Sequence, residues 1–436
     1  MIPLFISSLR CGHFLFIWFF ITSVISLACG YSNLTDRTGN YFDGGINMTV
    51  RWQATLPVCM VQDLEVFSSP TTNVIVLYAQ HLCCEHPGCF SVYGINYDGV
   101  FIWNFSYPNL TMSPFVTSDD NVILCTPNEL LFLDIRTGAV LMQYEFGYTL
   151  SGIPAYFDFP ALKYTRIAAL YGDDTKQERL DVFEKPYGSS PYGLYSFFLQ
   201  ENICCPNKPN VETNPMGGQD YSKSSMIFGQ SPDILYYSAL IPAANMVLLK
   251  FNLSSGAVNM LFDNHRLSPP TISSDGNVYV TAVGDDVMQL VGYNNQGQQL
   301  FFKTYVSDIF SSPVIPVAGI ASDGLVAFLQ GGNYGLYMVN GTTGDIDWCN
   351  IMGPPGTLDV LTQLVSIGRD GTVYAPCDAM GYDGLIQCVF SIGGSFLGYF
   401  PIWPLIHAAT VIDNEDLVLV SSGGTSFTTV FALNKL

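Results

Sequence analysis

The sequence predicts an all-β protein folded as an eight-bladed β-propeller, with seven blades as the alternative. Three observations lead there. Only 12% of the 436 residues are charged, while 14% are aromatic and 40 are glycine. That composition suits short strands and tight turns around a large core. Two strand–turn patterns also recur along most of the chain, at a spacing of roughly forty to fifty residues, the period of a four-stranded blade.

The first pattern is an aspartate or Asp-Gly turn followed by a β-branched strand: "SDDNVILC" (118–125), "SSDGNVYVTA" (273–282), "ASDGLVAFLQ" (321–330), "GRDGTVYAP" (368–376) and "DNEDLVLVS" (413–421). The second is a strand, a polar turn with glycine, and another strand. Its copies include "FSVYGINYDGVFIW" (90–103), "LLFLDIRTGAVLM" (130–142), "VLLKFNLSSGAVNM" (247–260), "MQLVGYNNQGQQLF" (288–301) and "YGLYMVNGTTGDIDW" (334–348). Alternating apolar and polar positions around a glycine that supplies positive φ are hairpin chemistry. The turn glycines are Gly99, Gly138, Gly256, Gly297, Gly344 and Gly394. The interval from Gly138 to Gly256 is double, so a degenerate repeat lies inside it.

Blades are therefore predicted at 57–107, 108–148, 149–216, 217–266, 267–306, 307–353 and 354–403. An eighth is composite: the lone strand "NMTVRWQATLP" (47–57) joins three strands from 407–436 and closes the ring, removing an exposed edge. The Pro-, Gly- and Asn-rich run at 184–219 is the predicted loop insertion.

Residues 1–30 read as a signal peptide, with Arg10 the one charge and an apolar run from Phe14 to Ala28. Cleavage before Tyr31 leaves ten cysteines, an even number. An uncleaved signal anchor is one alternative, and lipidation of Cys29 through the loose lipobox Ser-Leu-Ala-Cys is another. Residues 31–46 form a lead-in to the propeller at 47–436. A secreted chain oxidises its cysteines, and six Asn-x-Ser/Thr sequons at Asn33, Asn47, Asn104, Asn109, Asn252 and Asn340 fit a glycoprotein. No segment after the signal peptide is predicted to span a membrane. With 36 acidic against 16 basic residues, the chain is unsuited to nucleic acid or anionic lipid.

Chemistry concentrates in "HLCCEHPGC" (81–89). His81, Cys83, His86 and Cys89 have the donors for a metal site, but in an oxidising compartment such cysteines pair, and the Pro-Gly turn marks an inter-strand loop suited to a disulfide staple. The disulfide candidates are Cys59, Cys83, Cys84, Cys89, Cys125, Cys204, Cys205, Cys349, Cys377 and Cys388, with connectivity open. The Gly-Asp-Asp runs at 172–174 and 284–286 and "DNED" at 413–416 read as solvated turns rather than Ca²⁺ loops. His265 and His407 are isolated. No nucleophile elbow or phosphate loop is present.

The repeats resemble the PQQ-like family of eight-bladed propellers. Its pattern of Asp or Asn, then Thr-Gly, then Trp four residues after the glycine is matched by Asp134-Ile-Arg-Thr137-Gly138 and by Asn340-Gly-Thr-Thr343-Gly344 with Trp348. Gly99 with Trp103 matches in part, and Met142, Met260 and Phe301 stand where tryptophan is expected. WD-repeat signatures are absent. The resemblance implies two branches. One is quinoprotein dehydrogenases, which hold PQQ and Ca²⁺ on the axis beneath a vicinal disulfide, for which Cys83-Cys84 and Cys204-Cys205 are candidates. The family's base and metal residues do not map onto this chain position by position, and no catalytic residue is assigned. The expectation is thus the other branch: a monomeric, non-enzymatic binding or scaffold module for a protein or glycan ligand, without a cofactor. A quinoprotein-like oxidoreductase and a glycan-binding or glycan-cleaving propeller are the alternatives.

Overall fold

The computed structural model describes residues 46–436 except 57–60, 69–70, 82–88, 109–113, 127, 147–154, 160–162, 173–177, 200–224, 241–245, 265, 285–286, 307–318, 321–323, 331–334, 352–364, 379–384, 402–404, 413–416 and 424–427. Its strands form eight sheets, each the antiparallel core of a propeller blade. Blades I to VII span 61–108, 115–145, 155–199, 225–264, 266–306, 319–351 and 366–401. Blade VIII joins 405–434 to Val50–Leu56. In blade V the first strand is split into Arg266–Leu267 and Thr271–Ile272, both pairing with Val278–Gly284.

Within a blade the strands follow sequence order from the axis outward. First strands touch first strands: Val61–Ser68 meets Leu405–Ile412, which meets Ser366–Ile367, and Ala155–Phe159 meets Ser225–Phe228. Middle strands are buried on both faces and read as unbroken apolar runs, such as Asn121–Cys125 and Glu129–Asp134. Outer strands alternate, as in Val140–Glu145, because one face packs inward and the other meets solvent. The core is a set of inter-blade clusters; one joins Val74, Val76, Val92 and Trp103 of blade I to Val122, Leu124, Leu131 and Leu133 of blade II.

The third-to-fourth-strand turns are built by Asx residues. Asp134 Oδ1 accepts from the backbone N–H groups of Arg136 and Thr137, and Asn340 Oδ1 accepts from those of Thr342 and Thr343. Each such cap satisfies turn donors that no strand can reach. The closing glycines sit at positive φ, 68° at Gly138 and 70° at Gly344. In the first-to-second-strand turn Gly276, Gly324 and Gly371 take φ of 85°, 82° and 81°, while blade II places Asp120 there at 62°.

Closure follows the expected composite scheme. Val50–Leu56 is the outer strand of blade VIII, paired with Thr428–Asn434. Asn434 binds Thr49 twice, through its backbone N–H to the carbonyl and its Nδ2 to Oγ1. Ile46–Asn47 adds a short fifth strand, parallel to the outer strand of blade VII. One expectation is corrected. The run from residue 184 does not begin as an insertion: 184–186 ends the strand Glu178–Pro186, and Tyr192–Leu199 is the outer strand of blade III. A four-strand blade forms there because Leu180, Val182 and Phe183 keep the inward pattern. The remainder, 200–219, lies outside the described residues.

Candidate functional site

The antiparallel order sends all first-to-second and third-to-fourth turns to one face, and all second-to-third and inter-blade connections to the other. On the turn face, every third-to-fourth connection of blades I to VII is four or five residues long. The opposite face receives connections of uneven length, from the tight Thr126–Glu129 turn to the stretches between Leu199 and Ser225, Val306 and Gly319, and Ile351 and Ser366. A ring of blades carrying connections of uneven length on one side is a common arrangement of a recognition surface.

The ring beneath that face is fastened in two ways. Three tryptophans of outer strands dock on the next blade's turn. Trp52 Nε1 donates to the Tyr97 carbonyl at 2.7 Å, Trp103 Nε1 to Ile135 at 2.7 Å, and Trp348 Nε1 to Ile392 at 2.6 Å. Each indole lies against the turn glycine. A Cβ on Gly99, Gly138 or Gly394 would sit 2.7–2.8 Å from the ring of Trp52, Trp103 or Trp348 respectively. Phe301 takes the same place over Gly344.

Elsewhere charged and hydroxyl groups hold the seam. Lys185 of blade III is 1% exposed; its Nζ lies 3.0 Å from Asp119 Oδ2 of blade II and 5.5 Å from the Phe132 ring centre. Burial works to raise the Asp119 carboxyl, but the Thr117 hydroxyl and the Lys185 charge outweigh it and hold it below the usual range. Arg166 of blade III, 5% exposed, reaches Pro232 O at 2.6 Å and Asp233 Oδ1 at 3.1 Å in blade IV. Between blades IV and V, Lys250 Nζ donates to Asn295 O at 2.7 Å.

Close to the loop-bearing face, the buried Glu129 of blade II accepts from Tyr107 of blade I and from Gln143. The hydrogen bond to this carboxylate, with burial, pushes the Tyr107 hydroxyl up to about 12. A matching seam contact joins Asn264 Nδ2 to Gln289 Oε1 at 2.9 Å, blade IV to blade V. These groups hold blades together, and none of the contacts aims a nucleophile at a base. Sequence reasoning missed Lys185, Arg166 and Glu129. The available signal was a charged residue within a middle strand that is otherwise mostly apolar and buried.

The sequence candidates distribute as follows. Cys377 and Cys388, both fully buried on adjacent strands of blade VII, form a disulfide with Cα atoms 5.9 Å apart. Cys349 is disulfide-bonded as well. Cys125 departs from expectation: it is a buried thiol in no disulfide, and it interacts with Tyr156, whose hydroxyl is pushed up by burial and by the sulfur. It belongs to an apolar cluster with Phe115, Phe132, Phe146 and Ile167, where it packs as a small apolar side chain. Cys59, Cys83, Cys84, Cys204 and Cys205 lie outside the described residues, as do His86 and His265; His81, Cys89 and His407 are placed in strands by their backbone alone. Both adjacent-cysteine pairs belong to connections whose flanking strand ends, His81 with Cys89 and Leu199 with Ser225, are on the loop-bearing face. Among the described residues no group of three His, Cys, Asp or Glu is arranged to hold a metal ion. No helix there is long and apolar enough to cross a membrane.

Of the sequon asparagines, Asn47 and Asn104 are exposed on outer-edge strands. Asn252 and Asn340 cap turns with their carboxamide oxygens. Asn33 and Asn109 lie outside the described residues.

No family model matches the chain, and no curated protein matches it. Solved structures do. The chain is similar to Sqt1 of Saccharomyces cerevisiae at a TM-score of 0.55 and 11% identity, covering 90% of this chain and 100% of that one. It is also similar to the WD40 domain of SCAP from fission yeast (0.45, 11% identity, 89% and 97% covered) and to a eukaryotic initiation factor (0.49, 10% identity, 78% of each). At such identities the likeness to Sqt1 shows the propeller fold alone.

Proposed function

We propose that the protein is a secreted, disulfide-stapled, glycosylated propeller that acts as a non-enzymatic binding or scaffold module and holds its partner on the loop-bearing face. The observation that carries this reading is the asymmetry of the ring. Turns of uniform length close one face, connections of uneven length leave from the other, and the buried charged groups described between them serve blade junctions. The fully buried disulfide in blade VII supports an oxidising compartment. The indole-on-glycine docking at three junctions supports kinship with PQQ-like repeats.

The test is a binding screen of the purified chain against arrayed extracellular proteins and glycans, followed by two charge substitutions. Asn128→Arg on the loop-bearing face should weaken any binding found, and Asp98→Arg on the turn face should leave it intact; both residues are exposed. The reverse pattern would overturn the assignment of the face. Dye reduction upon addition of PQQ and Ca²⁺, or release of sugar from a glycan, would replace the binding reading with an enzymatic one.

A further inference from the structure

The outer strand of a blade ends its sheet, and N–H and C=O groups along an uncovered edge invite pairing with another chain. Five of the eight edges carry a charge: Glu145 in blade II, Asp263 in IV, Lys303 in V, Asp347 in VI and Arg51 in VIII. Such charges block strand addition. Blade VII has none, and Ile46–Asn47 of the chain itself covers that edge. Blade III has none either, and Gly193 interrupts its strand.

Blade I is the exception. Its edge strand, Phe101–Pro108, reads FIWNFSYP: it has no charge or glycine, its proline stands at the last position, and the seven residues before it have the composition of an aggregation-prone segment. Trp103 packs onto blade II together with Phe105 and Tyr107. The alternating positions Ile102, Asn104 and Ser106 are exposed, Ile102 at 45%. In the middle of that bare edge stands the sequon Asn104-Phe105-Ser106.

We propose that Asn104 is an N-glycan acceptor and that the sugar is the edge guard of blade I, in the role that charges fill on five other blades. The proposal rests on the secreted reading above. In the transfer, Asn104 Nδ2 attacks the anomeric carbon of an oligosaccharide carried on a lipid diphosphate. The C–N bond forms, the bond from that carbon to the diphosphate oxygen breaks, the lipid diphosphate departs, and one amide proton passes to a base. In the folded blade the Ser106 hydroxyl shares a hydrogen bond with Ser91 Oγ at 2.9 Å. The hydroxyl that marks the acceptor is thus engaged after folding, which places the transfer before blade I closes. The product is a large hydrated group that stands on the strand face shared with Ile102 and overhangs the edge along which a second chain's strand would have to lie.

The experiment is peptide mass spectrometry of the full chain expressed in a glycosylating eukaryotic cell, once with its own leader and once behind a foreign cleaved leader. Asn104 is expected to carry a glycan in both arms. Modification only behind the foreign leader would refute the secreted reading while retaining Asn104 as a competent acceptor; an unmodified Asn104 in both arms would overturn the proposal. For the guard role, Asn104→Gln is expected to lose one glycan-sized mass step and to shift from monomer to dimers and larger species on sizing. Asn104→Lys, which lacks the sugar and supplies a charge, is expected to return to monomer. If Asn104→Gln stays as monomeric as the glycosylated chain, or Asn104→Lys aggregates equally, the sugar is not guarding the edge.

Discussion

Two arcs of the ring are fastened by different chemistry. Running from blade VI through VII, VIII and I to II, three of four junctions use an indole on a turn glycine, and the fourth, between VII and VIII, is where the two ends of the described chain meet. From II round to VI no tryptophan docks among the described residues. There the seams use Lys185 with Asp119, Arg166 with Asp233 and the Pro232 carbonyl, Lys250 with Asn295, and Tyr305, whose hydroxyl donates to Gly344 O at 2.8 Å beside Phe301. An indole gains from area and one hydrogen bond, so the junction tolerates changes elsewhere. A buried ion pair gains little net, yet losing either partner strands a charge. The first arc should therefore be the stable half and the second the one that answers to pH and to single charge losses.

Removing an indole gives the largest expected effect. Trp103→Ala opens a cavity between blades I and II and should cost about 3–5 kcal/mol in chemical denaturation. Trp103→Phe, which copies Phe301, should cost about 1–2 kcal/mol, mainly for the unpaired Ile135 carbonyl. On the other arc, Lys185→Met should cost about 3–5 kcal/mol because Asp119 stays buried without its cation. Adding Asp119→Asn should recover most of that loss; no recovery would mean that packing, not charge, holds the seam.

The polar arc should also set the acid limit of stability. On that arc Asp119 is held below its unfolded value, and so is Asp345 at the junction of blades V and VI, by the Lys303 and Thr343 hydrogen bonds. The indole arc contributes Asp370 at the VII–VIII junction, where burial opposes but Thr372 and Lys435 prevail. A depressed carboxyl contributes stability that is present above its unfolded pKa of about 4 and is lost as pH falls through the folded value. Urea midpoints should accordingly fall from about pH 5 downward. In Lys185→Met burial is opposed only by the Thr117 and Asn121 hydrogen bonds, so Asp119 moves up toward its unfolded value and its share of the acid-induced fall should shrink. The smallest effect is a gain. Asp120→Gly removes a positive-φ strain of up to about 1 kcal/mol and gives up the ion pair with Arg136, a side chain 61% exposed, which is worth little.

The eight blades were legible because the repeat is written in local chemistry. An Asx residue, a glycine at positive φ and an aromatic four residues later all lie within one hairpin. Trp52 shows the gain from structure: in sequence it ends a lone strand, and in the ring it does what Trp103 and Trp348 do. Blade III was read as an insertion from residue 184 because its turn has no Asx cap and sits in a Pro- and Ser-containing run, although Gly188 at φ 70° and Tyr192 four residues later repeat the other two marks. The polar clamps were invisible for a different reason. Lys185 and Asp119 are 66 residues apart, and no local pattern records a pairing that the ring closure creates. The loop-bearing face follows from strand order alone, whereas recognition there would depend on side chains that no repeat constrains.

Docking of an indole on glycine fastens one arc and is absent from the described residues of the other, a contrast that can be tested at two turns of nearly equal φ. Gly138 has φ 68° and Gly188 has φ 70°. A Cβ at Gly138 would lie 2.7 Å from Trp103, whereas one at Gly188 meets nothing within 4 Å. Alanine at Gly188 should cost about 1 kcal/mol, the left-handed strain alone. Alanine at Gly138 should cost about 1–3 kcal/mol more, because the indole must be displaced. Equal losses in parallel urea titrations would contradict the docking account.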